Sequence, residues 1–495
     1  MKRGLFVFPN SKFWVEAIKK LIKAGYYPEV IVGDDFHKKY FKNSLIYDTS
    51  LFKLANYPSF LNVSNKLDKK TYYELSESIL SSNICLSRFL PSKNDASTDD
   101  RDIFINKSIN VIFSLFSKFK FDFIILASPP HRVIDQLLID IGKLKKIPTL
   151  FFHHTMLDQY HFISSEPYIQ VKDNNDKTKK PSDFILSVVE KISKGESFKS
   201  SLSFNSPNFL YKVNKETVFK RFLKKLIFLK KKNLMYEISK IKIHEDIKFT
   251  NYIKFKLSSY FTSFKVKLAE HYYNKISKPL NLKEKYLYFP LTYQPEQSNC
   301  PSGGYFSHNL LSFFYLINLI PDNYTIYCKI HPRQFQKPIS RDNYFDLAYI
   351  KSLSTYSPRI KFLHSNTNNL EIIKNCSAVI TDGNASSSFL EAMCFSKKVL
   401  SLSKDAYFRF FDNVLDLRSE MLNKNILDMF LRSPFDKNKF YKNLYNFEKK
   451  TFDFSSYLIS QHETRQRINF DIGDFDKKFS AANDVFVKQI IKNIN

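Results

Sequence analysis

The chain has 495 residues, of which 43% are hydrophobic and 16% aromatic, with nine glycines and a formal net charge of +28. That length exceeds one ordinary core and predicts two domains. The scarcity of Gly and Pro excludes collagen-like and long low-complexity segments.

A basic field of this size selects anionic partners: nucleic acid, phosphorylated small molecules or an anionic membrane face. The chain is also crowded with Lys, Asn, Ile, Phe and Tyr, as AT-rich coding tends to produce, so local clusters carry more weight than the total. The five cysteines (Cys85, Cys300, Cys328, Cys376 and Cys394) are odd in number and form no CxxC pair. This argues against a zinc site and a disulfide framework, and for a reducing compartment. The opening MKRGLFVFPNSKFW has no cleavage site after its short apolar run and is not expected to act as a secretory leader. LLSFFYLINLI (310–320) is the nearest approach to a membrane span and is too short. The expectation is a cytoplasmic protein, either soluble or peripheral on the inner membrane face.

Taken in order, GLFVFP (4–9) is a short strand. An amphipathic segment follows from Phe13 to Ala24, then Gly25, then the strand EVIVGDD (29–35). This is the start of a βαβ unit. Ile103, Ile105, Ile109 and Phe113 set a helical pattern over 101–120, and FDFIILASPP (121–130) is a buried strand running into a Pro-rich loop. A helix over 131–147 and the strand PTLFFHHT (148–155) complete an α/β domain placed at 1–164. Residues 165–280 differ in kind, being rich in Lys and poor in strands. In FKRFLKKLIFLKKKNL (219–234), Phe219, Phe222, Leu223, Leu226 and Leu229 form one helical stripe, with lysines around it. Such a helix either lies on an anionic lipid surface or packs on the domain with a solvated basic face. The whole segment reads as a basic helical insertion or bridge. From 281 to 424 strands and helices alternate again, including KYLYFPL (285–291), YTIYCKIHP (324–332) and SAVITDG (377–383). This predicts a second doubly wound sheet, followed by a charged helical tail at 425–495.

Three motifs sit where strands of the second sheet end. In GNASSSFLEAM, Gly383 permits a sharp turn, and Ser386, Ser387 and Ser388 fall at a helix start. Free backbone N–H groups there bind phosphate, though plain N-capping would use the same residues. In CKIHPR, Pro332 stops the strand after His331, with Lys329 and Arg333 beside it. Such a His can donate to a diphosphate or sugar carboxylate, or simply end a strand facing water. In PLTYQPEQSNCPSGGY, Gly303 and Gly304 allow close backbone approach. Glu296 is there either a carboxylate base or sugar-hydroxyl ligand, or a surface residue of a stiff loop.

Together, YFPLTYQPEQSNCPSGGYF, KIHPR and TDGNASSSFLEAMCFSKKVL resemble the capsule polysaccharide biosynthesis proteins, GT-B-like glycosyltransferases that include the Kdo (3-deoxy-manno-octulosonic acid) transferases. The resemblance covers 283–405 and extends more weakly to 127–154. It implies an α/β fold of two facing Rossmann-like domains with parallel sheets, the basic helical insertion being additional. It places the donor nucleotide on 281–424, with His331 and Ser386 to Ser388 on its phosphates and Glu391 on its ribose. Glu296 then lies near the reacting sugar, and His131, Arg132, Asp135, His153 and His154 lie on the acceptor side. The chain departs from the family at Ile330, where an acidic residue is more usual before His-Pro. The implied activity is sugar transfer from a nucleotide-sugar, CMP-Kdo in some relatives, to a growing surface polysaccharide or its lipid-linked acceptor. No metal or cofactor is expected, because the nucleotide-sugar is itself the substrate. A CDP-glycerol-type glycerophosphotransferase and a non-catalytic scaffold of a polysaccharide assembly complex are the alternatives. Nucleic acid is not expected as a partner, since no helix-turn-helix, zinc knuckle or RNP-type motif is present.

Overall fold

The computed structural model describes residues 1–9, 11–48, 69–75, 98–130, 132–155, 157, 160–165, 180–196, 265–294, 303–335, 347–383, 386–403, 411–453 and 472–494. The basic stripe at 219–234 lies outside them.

The chain opens with Lys2–Val7 (β1), Lys12–Lys23 (α1) and Tyr26–Gly33 (β2). Helix α1 buries Phe13, Trp14, Ala17, Ile18 and Leu21, a stripe of the 3.6-residue period. It ends because Gly25 takes a left-handed backbone (φ +89°), and the Gly25 N–H donates to the Ile22 carbonyl at 3.0 Å. Then come Asp35–Tyr40 (α2), Leu45–Asp48 (β3), Lys69–Glu74 (α3), Thr98–Lys118 (α4), Phe123–Leu126 (β4), Val133–Leu144 (α5), Thr149–His154 (β5) and Tyr160–Ser164 (β6). The strands from β1 to β5 pair in parallel, while β6 runs antiparallel to β5.

Asp183–Ser193 (α6) belongs to the sequence of the expected bridge but packs on the second unit. It buries Ile185, Val188, Val189 and Ile192, and Ser193 Oγ donates to the Cys394 carbonyl at 3.0 Å. The second unit comprises Tyr286–Leu291 (β7), Asn309–Leu319 (α7), Thr325–Ile330 (β8), Leu347–Thr355 (α8), Ile360–Phe362 (β9), Asn369–Asn375 (α9), Ala378–Thr381 (β10), Ser387–Cys394 (α10), Lys398–Ser401 (β11) and Val414–Asp416 (β12). Its sheet has the order β12-β11-β10-β7-β8-β9 and is parallel throughout. Counted from β7, that is the 3-2-1-4-5-6 order of a Rossmann sheet. Tyr286, Tyr288 and Tyr327 enter the core on one face, and Leu287, Phe289, Ile326 and Cys328 the core on the other. Both faces are buried, which is why these strands read as apolar runs, interrupted in β8 by the buried Lys329.

After Lys424–Arg432 (α11) and Lys437–Lys450 (α12) the chain returns to the first sheet. Phe452–Asp453 (β13) pairs antiparallel with β6, giving the order β13-β6-β5-β4-β1-β2-β3. Ile472–Ile494 (α13) then packs on α1, where the Phe486 ring meets Phe13, Trp14 and Phe152 at centroid distances of 5.4, 4.9 and 5.2 Å. The stretch read as a helical tail is therefore divided: α11 and α12 pack with the second sheet through Leu427, Phe440, Leu444 and Phe447, and only α13 joins the first core through Phe486, Val487, Ile490 and Ile494. At the junction, Glu448 of α12 accepts from the Tyr160 hydroxyl and the Ser182 N–H, each at 2.8 Å. The fold class is α/β with two Rossmann-like sheets. Among the described residues no helix is long and apolar enough to cross a membrane, and Cys328, Cys376 and Cys394 are free, buried thiols.

Candidate functional site

In an open α/β sheet the crevice lies beyond the carboxyl ends of the strands, at the point where the strand order reverses. In the second sheet this point falls between β7 and β10. Strand β7 delivers Thr292, and β10 delivers Asp382. The Thr292 hydroxyl donates to Asp382 Oδ2 at 3.2 Å, and Asn309 Nδ2 reaches the same oxygen at 3.4 Å. Asn309 Oδ1 in turn accepts from Gln294 Nε2 at 3.2 Å. Gln294 is itself clamped: its N–H donates to Gln334 Oε1 at 2.9 Å, and Gln334 Nε2 donates to its carbonyl at 2.8 Å. One hydrogen-bonded chain thus ties the ends of β7, β8 and β10 to the start of α7. Gln294, Asn309, Gln334 and Asp382 are all buried. Burial pushes the Asp382 carboxyl up to about 7, against the hydrogen bonds from Thr292 and Asn309 that favour its charge.

His331 follows β8, half-buried, with its ring 5.6 Å from that of Tyr293. Pro332 opens a single 3-10 turn, Pro332–Phe335, in which the Gln334 N–H donates to the His331 carbonyl at 2.9 Å. The strand-stopping Pro therefore also delivers the Gln334 clamp. Gly304 adopts a left-handed backbone (φ +57°) at the start of the turn Gly304–Ser307, a conformation that strains any residue with a Cβ. The Ser307 carbonyl accepts from Gln294 Nε2 at 3.0 Å, which ties the glycine turn to the same cluster. Gly303 and Gly383 are buried beside it in sequence. Ser386 stands at the N-cap of α10, yet its hydroxyl makes no capping bond. Ser386 and Ser387 are partly exposed, whereas Ser388 is buried. Ordinary capping therefore does not account for Ser386.

Lys329 and Glu391 differ in burial from the partly exposed His331, Ser386 and Ser387. Both are buried, and the Lys329 ammonium donates to the Thr367 carbonyl at 2.9 Å. Burial lowers that ammonium to about 8, and the charge of Glu391 opposes the shift. Glu296 and the side chain of Arg333 lie outside the described residues.

On the first sheet the corresponding reversal is between β1 and β4, and α5 begins just beyond β4. Arg132 caps α5 and is engaged by Asp135: Nε and Nη2 reach its carboxylate at 3.2 and 2.9 Å, and the Arg132 N–H donates to it at 3.0 Å. His153, read as an acceptor-side residue at a strand end, is fully buried. Its ring stacks on Phe162 at 4.1 Å, because β6 folds back antiparallel over β5. His131 and the side chain of His154 lie outside the described residues. A histidine that pattern reading missed, His37, is held at this end of the sheet. Its Nε2 donates to the Phe8 carbonyl at 3.1 Å, and its Nδ1 accepts from the Asp34 N–H at 3.0 Å. Burial lowers its pKa despite Asp34.

Sequence reasoning also missed Thr292, Gln294, Asn309, Gln334 and Asp382. Asp382 adjoins Gly383 inside a motif already singled out, and the signal for it was the polar residue that ends an apolar strand. The two glutamines and Asn309 carry no such local signal. Among the described residues no group of three or more His, Cys, Asp or Glu side chains is placed to hold a metal ion.

No family model and no curated protein matches the chain. Among solved structures, UDP-GlcNAc 2-epimerase from Methanocaldococcus jannaschii is 12% identical, covering 91% of this chain and 98% of its own, with a TM-score of 0.24. UDP-GlcNAc 2-epimerase from Neisseria meningitidis, bound to UDP-GlcNAc, is 12% identical over 94% of this chain and 100% of its own, with a TM-score of 0.22. A family 9 glycosyl transferase from Veillonella parvula is 9% identical over 93% and 96%, with a TM-score of 0.19. At these scores the functional reading rests on the chain's own residues.

Proposed function

We propose that the chain is a GT-B-like glycosyltransferase that binds a nucleotide-sugar in the crevice beyond β7, β8 and β10. The observation that carries this reading is the buried cluster Thr292–Asp382–Asn309–Gln294–Gln334 at the strand-order reversal, flanked by His331 and the uncapped start of α10. Buried polar groups fixed in this way form a rigid base on which the adjoining loops are held. The N–H groups that open α10, with Ser386 and Ser387, are suited to the donor phosphates. His331 completes the anion site from the β8 side. The buried Lys329, held on the Thr367 carbonyl, supports β8 from within rather than touching the donor directly.

In the transfer, an acceptor hydroxyl attacks the anomeric carbon, and the bond from that carbon to the phosphate oxygen breaks. The phosphate keeps the electron pair, and His331 and the helix start stabilise the charge that develops there. The hydroxyl proton passes to a carboxylate, for which Glu296 is the candidate. The finer reading, Kdo transfer from CMP-Kdo to a surface polysaccharide or its lipid-linked acceptor at the inner membrane face, rests on the resemblance over 283–405.

The test is thermal stabilisation by CMP, CDP, UDP and GDP in wild type, His331→Ala and Ser387→Ala. Selective stabilisation by one nucleotide, lost in both variants, supports the crevice and names the donor class. No shift with any of the four rejects nucleotide-sugar binding and favours a scaffold.

A further inference from the structure

The same sheet carries a cavity at its opposite edge. It has a volume of about 830 Å³ and opens at the amino ends of β7 to β9, away from the crevice. Glu284 lies just before β7, Pro358 just before β9, and Tyr327 within β8. Strand β9 is a three-residue strand at the edge of the sheet. The chain that covers this edge, from 276 to 281, is pinned to it by the Lys278 N–H, which donates to the Phe362 carbonyl at 2.7 Å.

Its lining is chemically differentiated. Lys361 Nζ donates to both oxygens of Glu284, at 2.7 and 2.9 Å, and the Tyr327 hydroxyl donates to Glu284 Oε2 at 3.0 Å. The hydrogen bond from Lys361 holds the Glu284 carboxyl below its ordinary range, so that pair is internally balanced. Lys275 and Lys278 also line the cavity, are exposed, and make no ion pair with any described residue. The excess charge of the lining is therefore positive. Tyr272, Pro279 and Pro358 supply apolar wall. Asn281 is engaged by Glu284 and the Lys283 N–H, whereas the Ser354 and Thr355 hydroxyls donate to the Lys351 carbonyl and keep their oxygens as acceptors. A volume of this size with apolar walls and a few convergent polar groups suits a small ligand. Apolar walls match the face of a sugar ring, the Ser354 and Thr355 oxygens can accept from its hydroxyl groups, and the two lysines match an acidic substituent.

We propose that this cavity binds a small anionic sugar, phosphorylated or carboxylated, with Lys275 and Lys278 on the anion and Tyr272, Pro279 and Pro358 along the ring. The site stands apart from the nucleotide crevice and shares no residue with it.

The test is calorimetric titration of the full chain with glucose 6-phosphate, glucuronate, glucose and inorganic phosphate. It is run on wild type, Lys278→Gln, the double variant Lys275→Gln/Lys278→Gln, and Lys283→Gln as an exposed lysine outside the lining. Binding of glucose 6-phosphate or glucuronate is expected, about tenfold weaker in the double variant, intermediate in Lys278→Gln, and unchanged in Lys283→Gln. Which of the two binds tells phosphate from carboxylate. Binding must also persist at saturating UDP, which separates this site from the crevice. The proposal is overturned if neither acidic sugar binds, if glucose or inorganic phosphate binds as tightly, if the lysine variants bind normally, or if UDP displaces the sugar.

Discussion

Asp382 offers the sharpest test of the crevice, because its burial makes stability and ionisation oppose each other. Its carboxyl moves from 3.8 to about 7 on folding. A raised carboxylate pKa means the folded state holds its proton more tightly than the unfolded state, so stability falls as pH rises from about 4 through 7. At 1.36 kcal/mol per pKa unit the full effect is about 4 kcal/mol, of which roughly 2.5 kcal/mol develops between pH 5 and pH 8. Asp382→Asn removes the charge and keeps an oxygen able to accept from Thr292 and Asn309. The variant should therefore gain on wild type as pH rises, by about 1 to 2.5 kcal/mol between pH 5 and pH 8 once local relaxation is allowed for. Urea denaturation of both proteins at both pH values reads this directly, and the difference between them cancels every other titrating group. A gap that is the same at both pH values would show that Asp382 is not a desolvated carboxyl, and the account of the cluster would fall. If the crevice binds a nucleotide-sugar, the more stable variant should also lose nucleotide stabilisation, as when a site keeps a destabilising group for function.

Other consequences follow from the packing. Phe486→Ala should destabilise the first unit by about 3 to 5 kcal/mol in denaturant unfolding, since its ring is fully enclosed by Phe13, Trp14 and Phe152. A loss under 1 kcal/mol would mean that α13 is not docked on α1. Glu448→Ala should cost about 2 kcal/mol, as it strips a charged acceptor from Tyr160 and Ser182; Glu448→Gln, whose one oxygen can still accept from the Ser182 N–H while its NH2 donates to the Tyr160 hydroxyl oxygen, should lose less. His37 has a lowered pKa in the fold, so its contribution is complete above pH 6.5 and is lost as pH falls below that value. His37→Gln should flatten this acid-side loss, and an unchanged slope below pH 6.5 would count against a buried neutral imidazole.

Much of this architecture was legible in the chain itself. The apolar runs at 121–130, 285–291, 324–332 and 377–383 each contain a strand and the run at 4–9 overlaps one, because a strand buried on both faces has few polar positions. Pro332 marked the end of β8, and the serines marked the start of α10, because those signals act on the backbone within a turn or two. Two features depended instead on residues far apart in sequence. The docking of α13 on α1 joins positions 13 and 486, and the Asp382 cluster joins 292, 294, 309, 334 and 382. His153 shows the same limit: its place at a strand end was visible, but its burial was set by β6 folding over β5. Local sequence determined which segments are strands and helices and which loops carry polar residues, since periodicity and backbone chemistry are properties of neighbours. The tertiary structure alone decided which polar groups lose their water and which find partners, because desolvation depends on what the rest of the chain brings against them.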